Sequence, residues 1–187
     1  QRQMCIRDRA KAELEKAKSE LQSQGVQFPI HIDYVVDQSS NALVQQADSM
    51  KSSIEAALGK DNVVIDVQKL STDDADNATY FAQSPDQKDF DMDITGWGPD
   101  FQDPSTYLDI LNPTDGSTLT GMGLDPKKDQ ALIEKIGLNQ YKELLDAANA
   151  EKLDTNARYE KYAAAQAWLT ENAIVLPIYS KGLSLIH

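Results

Sequence analysis

Apolar residues along the chain alternate between the helical and the strand period. Recurrence every three to four residues is typical of amphipathic helices, whereas strict alternation over a short run is typical of half-buried strands. Helices that alternate with strands at these connection lengths favour an α/β fold with largely parallel strands. The pattern predicts helices at 10–24, 40–58, 73–83, 127–150 and 154–172, and strands at 30–36, 63–67, 90–95 and 174–179.

The segment 96–122 interrupts this alternation. It holds three prolines and four glycines among 27 residues, yet aromatic and aliphatic residues are interspersed throughout. That mixture favours a packed loop region over a flexible linker. We predict one short helix within it, near 105–111.

Composition removes several classes of function. The chain has 187 residues, which is length for one domain, and carries 30 Asp and Glu against 18 Lys and Arg, a formal net charge of -12. Without clustered positive charge we expect no nucleic-acid partner. The lone Cys5 excludes an intrachain disulfide and a cysteine zinc site, and no apolar run is long enough to cross a membrane.

The two ends differ from the interior. Residues 1–9 have a basic bias and no periodic apolar spacing, and residues 183–187 are equally irregular. We therefore expect both to be non-native terminal runs and give Cys5 and His187 no functional weight. The interior, 10–182, is expected to be one lobe of a longer protein.

A loop after the predicted strand 90–95 carries the most suggestive chemistry. In open α/β sheets ligands bind beyond the carboxyl ends of strands, which is where Trp97 and Asp100 fall. Gly98 would let a ligand approach the backbone, and two prolines stiffen the loop. An aromatic face beside a carboxylate suits an ammonium ligand. The residues alone leave a second interpretation open, in which Trp97 is core and Asp100 caps a turn or helix.

The sequence of residues 96–108, GWGPDFQDPSTYL, resembles the G-W-x-x-D-Y/F-x-D/E-P-x-x-F/Y-L signature of the oligopeptide-binding proteins of ABC importers. The wider run 10–182 is similar to the C-terminal lobe of that family, most of all to its streptococcal lipoproteins. Residues 174–181, IVLPIYSK, are similar to the strand that leads back to the first lobe. The resemblance implies an α/β, periplasmic-binding-protein-like (type II) lobe with a mixed sheet flanked by helices.

The resemblance also implies roles and partners. The signature Asp pairs with the α-ammonium of a bound peptide and the Trp lines the cleft, so Asp100 and Trp97, with Gly98 and Phe101, are the expected ligand-binding residues. Some members place an Arg where this chain has Ile94, so no carboxylate clamp is expected there. The implied protein is a receptor and not an enzyme, with no cofactor or metal. Its implied partners are an oligopeptide, ABC permease subunits and the missing N-terminal lobe, at the cell surface or in the periplasm, held by a lipid anchor outside this chain.

Three other functions are open to this sequence. The sequence only poorly distinguishes an adhesion or interaction module from a ligand-binding lobe. A glycoside hydrolase could use Asp100 and Asp103, although Asp103 suits a helix cap before Pro104 better. A calcium loop is suggested by aspartates at positions 1, 3, 5 and 12 of a run starting at residue 89, but its sixth position is Ile94 instead of Gly. With two histidines in the whole chain, no Ser-His-Asp site is assembled.

Overall fold

The computed structural model describes residues 2–178, apart from the side chains of 2–6 and 85. It divides into two compact units, Gln1–Gly96 and Trp97–His187, which are taken in turn. None of the described helices is both long enough and apolar enough to cross a membrane.

A pair of parallel strands organises the first unit. Strand β1 (Ile30–Asp37) runs parallel to strand β2 (Val63–Leu70), aligned so that Ile30 faces Val63 and Asp37 faces Leu70. Two parallel strands cannot be connected by a tight turn, and helix α2 (Asn41–Leu58) provides the crossover between them. The elements of this unit are α1 (Arg2–Ser23), β1 (Ile30–Asp37), α2 (Asn41–Leu58), β2 (Val63–Leu70), α3 (Thr72–Ala78) and a 3₁₀ turn (Pro85–Gln87).

Helix α2 covers the sheet, and Ser40 and Gly59 flank its two ends. The hydroxyl of Ser40 accepts the Leu43 N–H, which satisfies one of the unpaired donors of the first turn, and Gly59 follows the last turn with φ of 87°. The apolar stripe of the helix packs on the strands. The buried residues of this core are Tyr34, Val36, Ala47, Val63 and Ile65.

The prediction of a third strand at 90–95 is wrong. This segment forms a single parallel bridge, between Met92 and Tyr34 of β1. The N–H groups of Asp91 and Met92 both donate to the Asp33 carbonyl, and the Asp91 carboxylate takes the Asp33 N–H at 2.9 Å. A side chain therefore occupies the position of a backbone partner, and no ladder propagates from it.

The second unit is helical. Its elements are α4 (Ser105–Leu108), 3₁₀ turns at Asp109–Leu111 and Thr120–Met122, α5 (Gln130–Lys135), α6 (Leu138–Ala150) and α7 (Thr155–Glu171). The short helix predicted near 105–111 is confirmed. The single helix predicted at 127–150 is wrong, because Gly137, with φ of 81°, separates α5 from α6. The predicted strand 174–179 is also wrong for 174–178, which pair with no strand, and residue 179 lies outside the described range.

Helices α6 and α7 pack on α4 and the loops around it. The Asp154 carboxylate caps α7, and Tyr162, Ala165 and Leu169 are buried on one face of it. The Tyr141 hydroxyl of α6 donates to the Leu108 carbonyl at 2.7 Å, so α4 is tied to the core of the unit. That core comprises Leu108, Leu111, Leu119, Leu124, Ile133, Leu138, Tyr141, Leu145, Ala148, Tyr162, Ala165 and Leu169.

Candidate functional site

The four predicted ligand-binding residues lie on one exposed loop at the start of the second unit. Trp97 is 45% exposed and Phe101 is 56% exposed, so neither belongs to the core. Gly98 is open on the side where a side chain would stand, since a Cβ there would meet no atom within 4 Å. Asp100 is exposed as well. The core-packing interpretation of Trp97 is therefore wrong.

Thr106 of α4 holds Asp100 at two points. Its Oγ1 accepts the Asp100 N–H at 3.0 Å and donates to the Asp100 Oδ2 at 3.3 Å. The other carboxylate oxygen, Oδ1, accepts no hydrogen bond from the described part of the chain. Asp100 thus presents one oxygen for a ligand while the second is held. Sequence reasoning missed Thr106, since no periodicity connects it to Asp100.

Asp103, three residues further on, is fully engaged within the protein. Its carboxylate forms a two-pronged ion pair with Arg158 of α7, with Nη2 3.0 Å from Oδ1 and Nε 3.2 Å from Oδ2. Oδ1 also accepts the Ser105 N–H at 3.0 Å, although the residue at the N-cap position of α4 is Pro104 and not Asp103 as predicted. Hydrogen bonding from Arg158 is the main reason that the pKa of Asp103 lies well below its ordinary value.

Arg158 joins this loop to the helical core. Its Nη1 donates to the carbonyls of Ala148 at 3.0 Å and Glu151 at 3.1 Å, at the end of α6, and its guanidinium lies 4.8 Å from the centre of the Tyr162 ring. These carbonyls lie at the C-terminal end of a helix, where a cation is favourable, and the Ala148 carbonyl also accepts the Glu151 N–H at 3.2 Å. Arg158 was also missed from sequence, because its partner lies 55 residues away.

This geometry bears on the enzymatic and metal-binding alternatives. An acid catalyst needs a carboxyl that can be protonated near neutral pH, whereas Asp103 is held ionised by Arg158. Among the residues that the structure describes, no three His, Cys, Asp or Glu side chains group in a way that would hold a metal ion. What the loop offers is an exposed, oriented carboxylate beside exposed aromatic side chains.

An apolar groove adjoins the loop. It has a volume of about 420 Å³ and lies between the α4 segment and α7. Pro104 and Tyr107 contribute to one wall and Tyr159 and Gln166 to the other. Both tyrosines are about half exposed. The groove adds exposed apolar surface near the loop that carries Asp100.

Comparison with known proteins shows which folds and sequences the chain is similar to. No protein-family model matches the chain. The fold is that of the binding proteins of peptide ABC transporters, which confirms the α/β class with a small parallel sheet flanked by helices. The crystal structure of the substrate-binding domain of an oligopeptide ABC transporter from Bacillus anthracis strain Ames superposes on 94% of this chain and 29% of its own, with a TM-score of 0.67 at 24% identity.

Two streptococcal proteins are more similar to the chain in sequence than this crystal structure is. The chain is 52% identical over 176 residues to the oligopeptide-binding protein SarA of Streptococcus gordonii strain Challis, which covers 94% of this chain and 26% of SarA. It is also 52% identical over 176 residues to the oligopeptide-binding protein AliA of Streptococcus pneumoniae serotype 4, covering 93% of this chain and 27% of AliA. The chain is therefore homologous to one part of the streptococcal oligopeptide-binding proteins and spans about a quarter of their length.

Proposed function

We propose that this chain forms the C-terminal ligand-binding lobe of a receptor that captures oligopeptides for an ABC importer. The observation that carries the proposal is Asp100, an exposed carboxylate with one oxygen held by Thr106 and the other without a hydrogen-bond donor among the residues that the structure describes. It stands on the stretch that resembles the signature of that family, three residues after the exposed Trp97. The similar proteins SarA and AliA are oligopeptide-binding proteins, which supports this assignment.

In the proposed complex Asp100 pairs with the α-ammonium of the peptide. The free Oδ1 accepts a charge-assisted hydrogen bond, and the Trp97 ring offers its face to the same cation. Gly98 leaves room for the peptide main chain, and Phe101 lines the same surface. Main-chain hydrogen bonds would supply affinity that does not depend on sequence, as in other extended-peptide sites.

The remaining lobe of the receptor would close over this surface. Closure removes water from the ion pair, and the pair gains from this only because both charges stay hydrogen-bonded. The receptor would perform no chemistry and would deliver the peptide to membrane permease subunits. We place it outside the cytoplasm, at the cell surface or in the periplasm, with a lipid anchor outside this chain.

The test uses a complete receptor in which this chain replaces the matching part of a full-length streptococcal relative. Titration calorimetry measures Kd for a pentapeptide and for its N-acetylated twin, which lacks the ammonium charge. Asp100→Asn should weaken binding of the free-amine peptide by tenfold or more, on the order of 1.5 to 3 kcal/mol for a hydrogen bond to a charge. Asp115→Asn, at another exposed loop carboxylate, is the matched control.

Two results would overturn the proposal. One is an affinity for the free-amine peptide that stays within about twofold after Asp100→Asn, which is what an adhesion surface predicts. The other is equal affinity for the free and the acetylated peptide in the unsubstituted receptor, because the ammonium would then contribute nothing.

A further inference from the structure

We propose that Thr106 is a positioning residue for the ligand, which fixes the Asp100 carboxylate so that one oxygen is always directed to the incoming ammonium. This inference rests on the proposed function, since it assigns a second residue to the same site. Thr106 itself need not touch the peptide, because its hydroxyl acts through Asp100.

The hydroxyl of Thr106 is suited to this role by its chemistry. A hydroxyl has one proton to give and lone pairs to accept with, and Thr106 uses both kinds on a single residue, Asp100. Its proton is donated to Oδ2, so Oδ1 is left for an external donor. An exposed aspartate without such a partner would sample several rotamers, and binding would have to restrict them.

Burial makes the hydroxyl a fixed reference point. Thr106 is 4% exposed, and a β-branched side chain has few χ1 rotamers available. Helix α4, which carries it, is held at its start by Asp103 and Arg158, and the Leu108 carbonyl at its end accepts the Tyr141 hydroxyl. The position of the exposed Asp100 is therefore set by contacts that reach into the core.

The test compares Thr106→Val, which keeps the shape and removes the hydroxyl, with Thr106→Ser, which keeps the hydroxyl. In the complete receptor described above, Thr106→Val should weaken binding of the free-amine peptide about tenfold and leave the acetylated peptide unchanged, while Thr106→Ser stays within about twofold of the unsubstituted receptor. Thr114→Val, at an exposed threonine, is the control for the same chemical change. If Thr106→Val does not fold, Thr106→Ala takes its place.

A double substitution separates positioning from general stability. If Thr106 acts through Asp100, adding Thr106→Val to Asp100→Asn should cause no further loss of affinity, because the group that it orients no longer pairs with the ammonium. In addition, hydrogen exchange of the Asp100 amide in the 187-residue chain should accelerate in Thr106→Val and not in Thr106→Ser.

Each outcome is decisive. Equal weakening of both peptides by Thr106→Val, without rescue by Thr106→Ser, would make Thr106 structural and overturn the inference. A large effect of Asp100→Asn together with none of Thr106→Val would overturn it too, while leaving the proposed function intact. If Asp100→Asn itself has no effect, the proposed function fails first and the positioning role fails with it.

Discussion

Replacing Arg158 by methionine should release the loop that carries Asp100 and Asp103 from the helical core. The guanidinium makes two hydrogen bonds to the Asp103 carboxylate and two good ones to the carbonyls that end α6. Methionine keeps much of the apolar stem but leaves the Asp103 charge and these carbonyls without their donor. Arg158→Lys is expected to recover little of the lost stability, because a lysine ammonium cannot make the two parallel hydrogen bonds of a planar guanidinium.

The loss of unfolding free energy in Arg158→Met depends on how deeply the Arg158–Asp103 pair is buried. Side-chain exposure is 17% for Arg158 and 27% for Asp103, so both charges are largely but not wholly removed from water. Removing one partner of a fully buried pair costs about 3 to 5 kcal/mol. Because Asp103 can regain some hydration, we expect a loss of about 2 to 3 kcal/mol, which at roughly 1.5 kcal/mol per M is a fall of about 1.3 to 2 M in the urea midpoint.

Tryptophan fluorescence reports this transition selectively. The chain has two tryptophans, Trp97 and Trp168, and both lie in the second unit. Lys161→Met is the matched control, since Lys161 stands one turn along the same helix, pairs with a single carboxylate oxygen of Glu151 and is itself 42% exposed against 17% for Arg158. It should move the midpoint only slightly. Equal shifts of the urea midpoint for Arg158→Met and Lys161→Met would refute the claim that the Arg158–Asp103 ion pair anchors the loop.

The same pair predicts a pH dependence with a definite sign. The pKa of Asp103 is lower in the folded chain than its ordinary value, mainly through Arg158. Its contribution to stability is therefore complete above that ordinary value, near pH 4, and is lost as the pH falls below it. The stability difference between the unsubstituted chain and Asp103→Asn should shrink over this range. A difference that stays constant from pH 7 to pH 2 would contradict the ion-pair assignment.

Two further predictions concern other parts of the chain. Gly116→Ala should destabilise the second unit by at least about 2 kcal/mol in the same urea assay, because its Cβ would lie 2.5 Å from the Ile110 carbonyl oxygen, whereas Gly121→Ala, with open space, should not. Buried Glu55, whose pKa is lowered to about 2 mainly by hydrogen bonding from Lys51, should support the first unit above pH 4.5 and lose that contribution as the pH falls toward 2. Circular dichroism should show this loss in the unsubstituted chain and not in Glu55→Gln.

Local signals predicted the regular elements because those elements follow local rules. Ser40 caps α2 and Asp154 caps α7, as expected from their hydroxyl and carboxylate oxygens. The same rules failed where a contact between residues distant in sequence replaced the expected backbone pairing. Alternation at 90–95 predicted a strand, but the Asp91 side chain takes the Asp33 N–H that a ladder would need.

Some residues of the candidate site could be predicted from sequence and others could not. The motif around Trp97 and Asp100 could be found because its residues are adjacent in sequence and its chemistry is distinctive. Thr106 and Arg158 could not, since a buried hydroxyl and a helix arginine carry no signal of what they contact. Their roles exist only once α4 and α7 are placed against the loop.

The two aspartates of the loop illustrate how context assigns opposite roles to identical side chains. Asp100 is exposed, is bonded within the described chain only by Thr106, and keeps one oxygen free, so its charge is available to an external cation. Asp103 has both oxygens occupied by Arg158, and its charge is satisfied internally. Asparagine at 100 should therefore change ligand affinity with little effect on stability, whereas asparagine at 103 should lower stability first and affect binding only through the loop that it anchors. If the two substitutions gave the same pattern in the urea and peptide assays, the division between a ligand carboxylate and an anchoring carboxylate would be wrong.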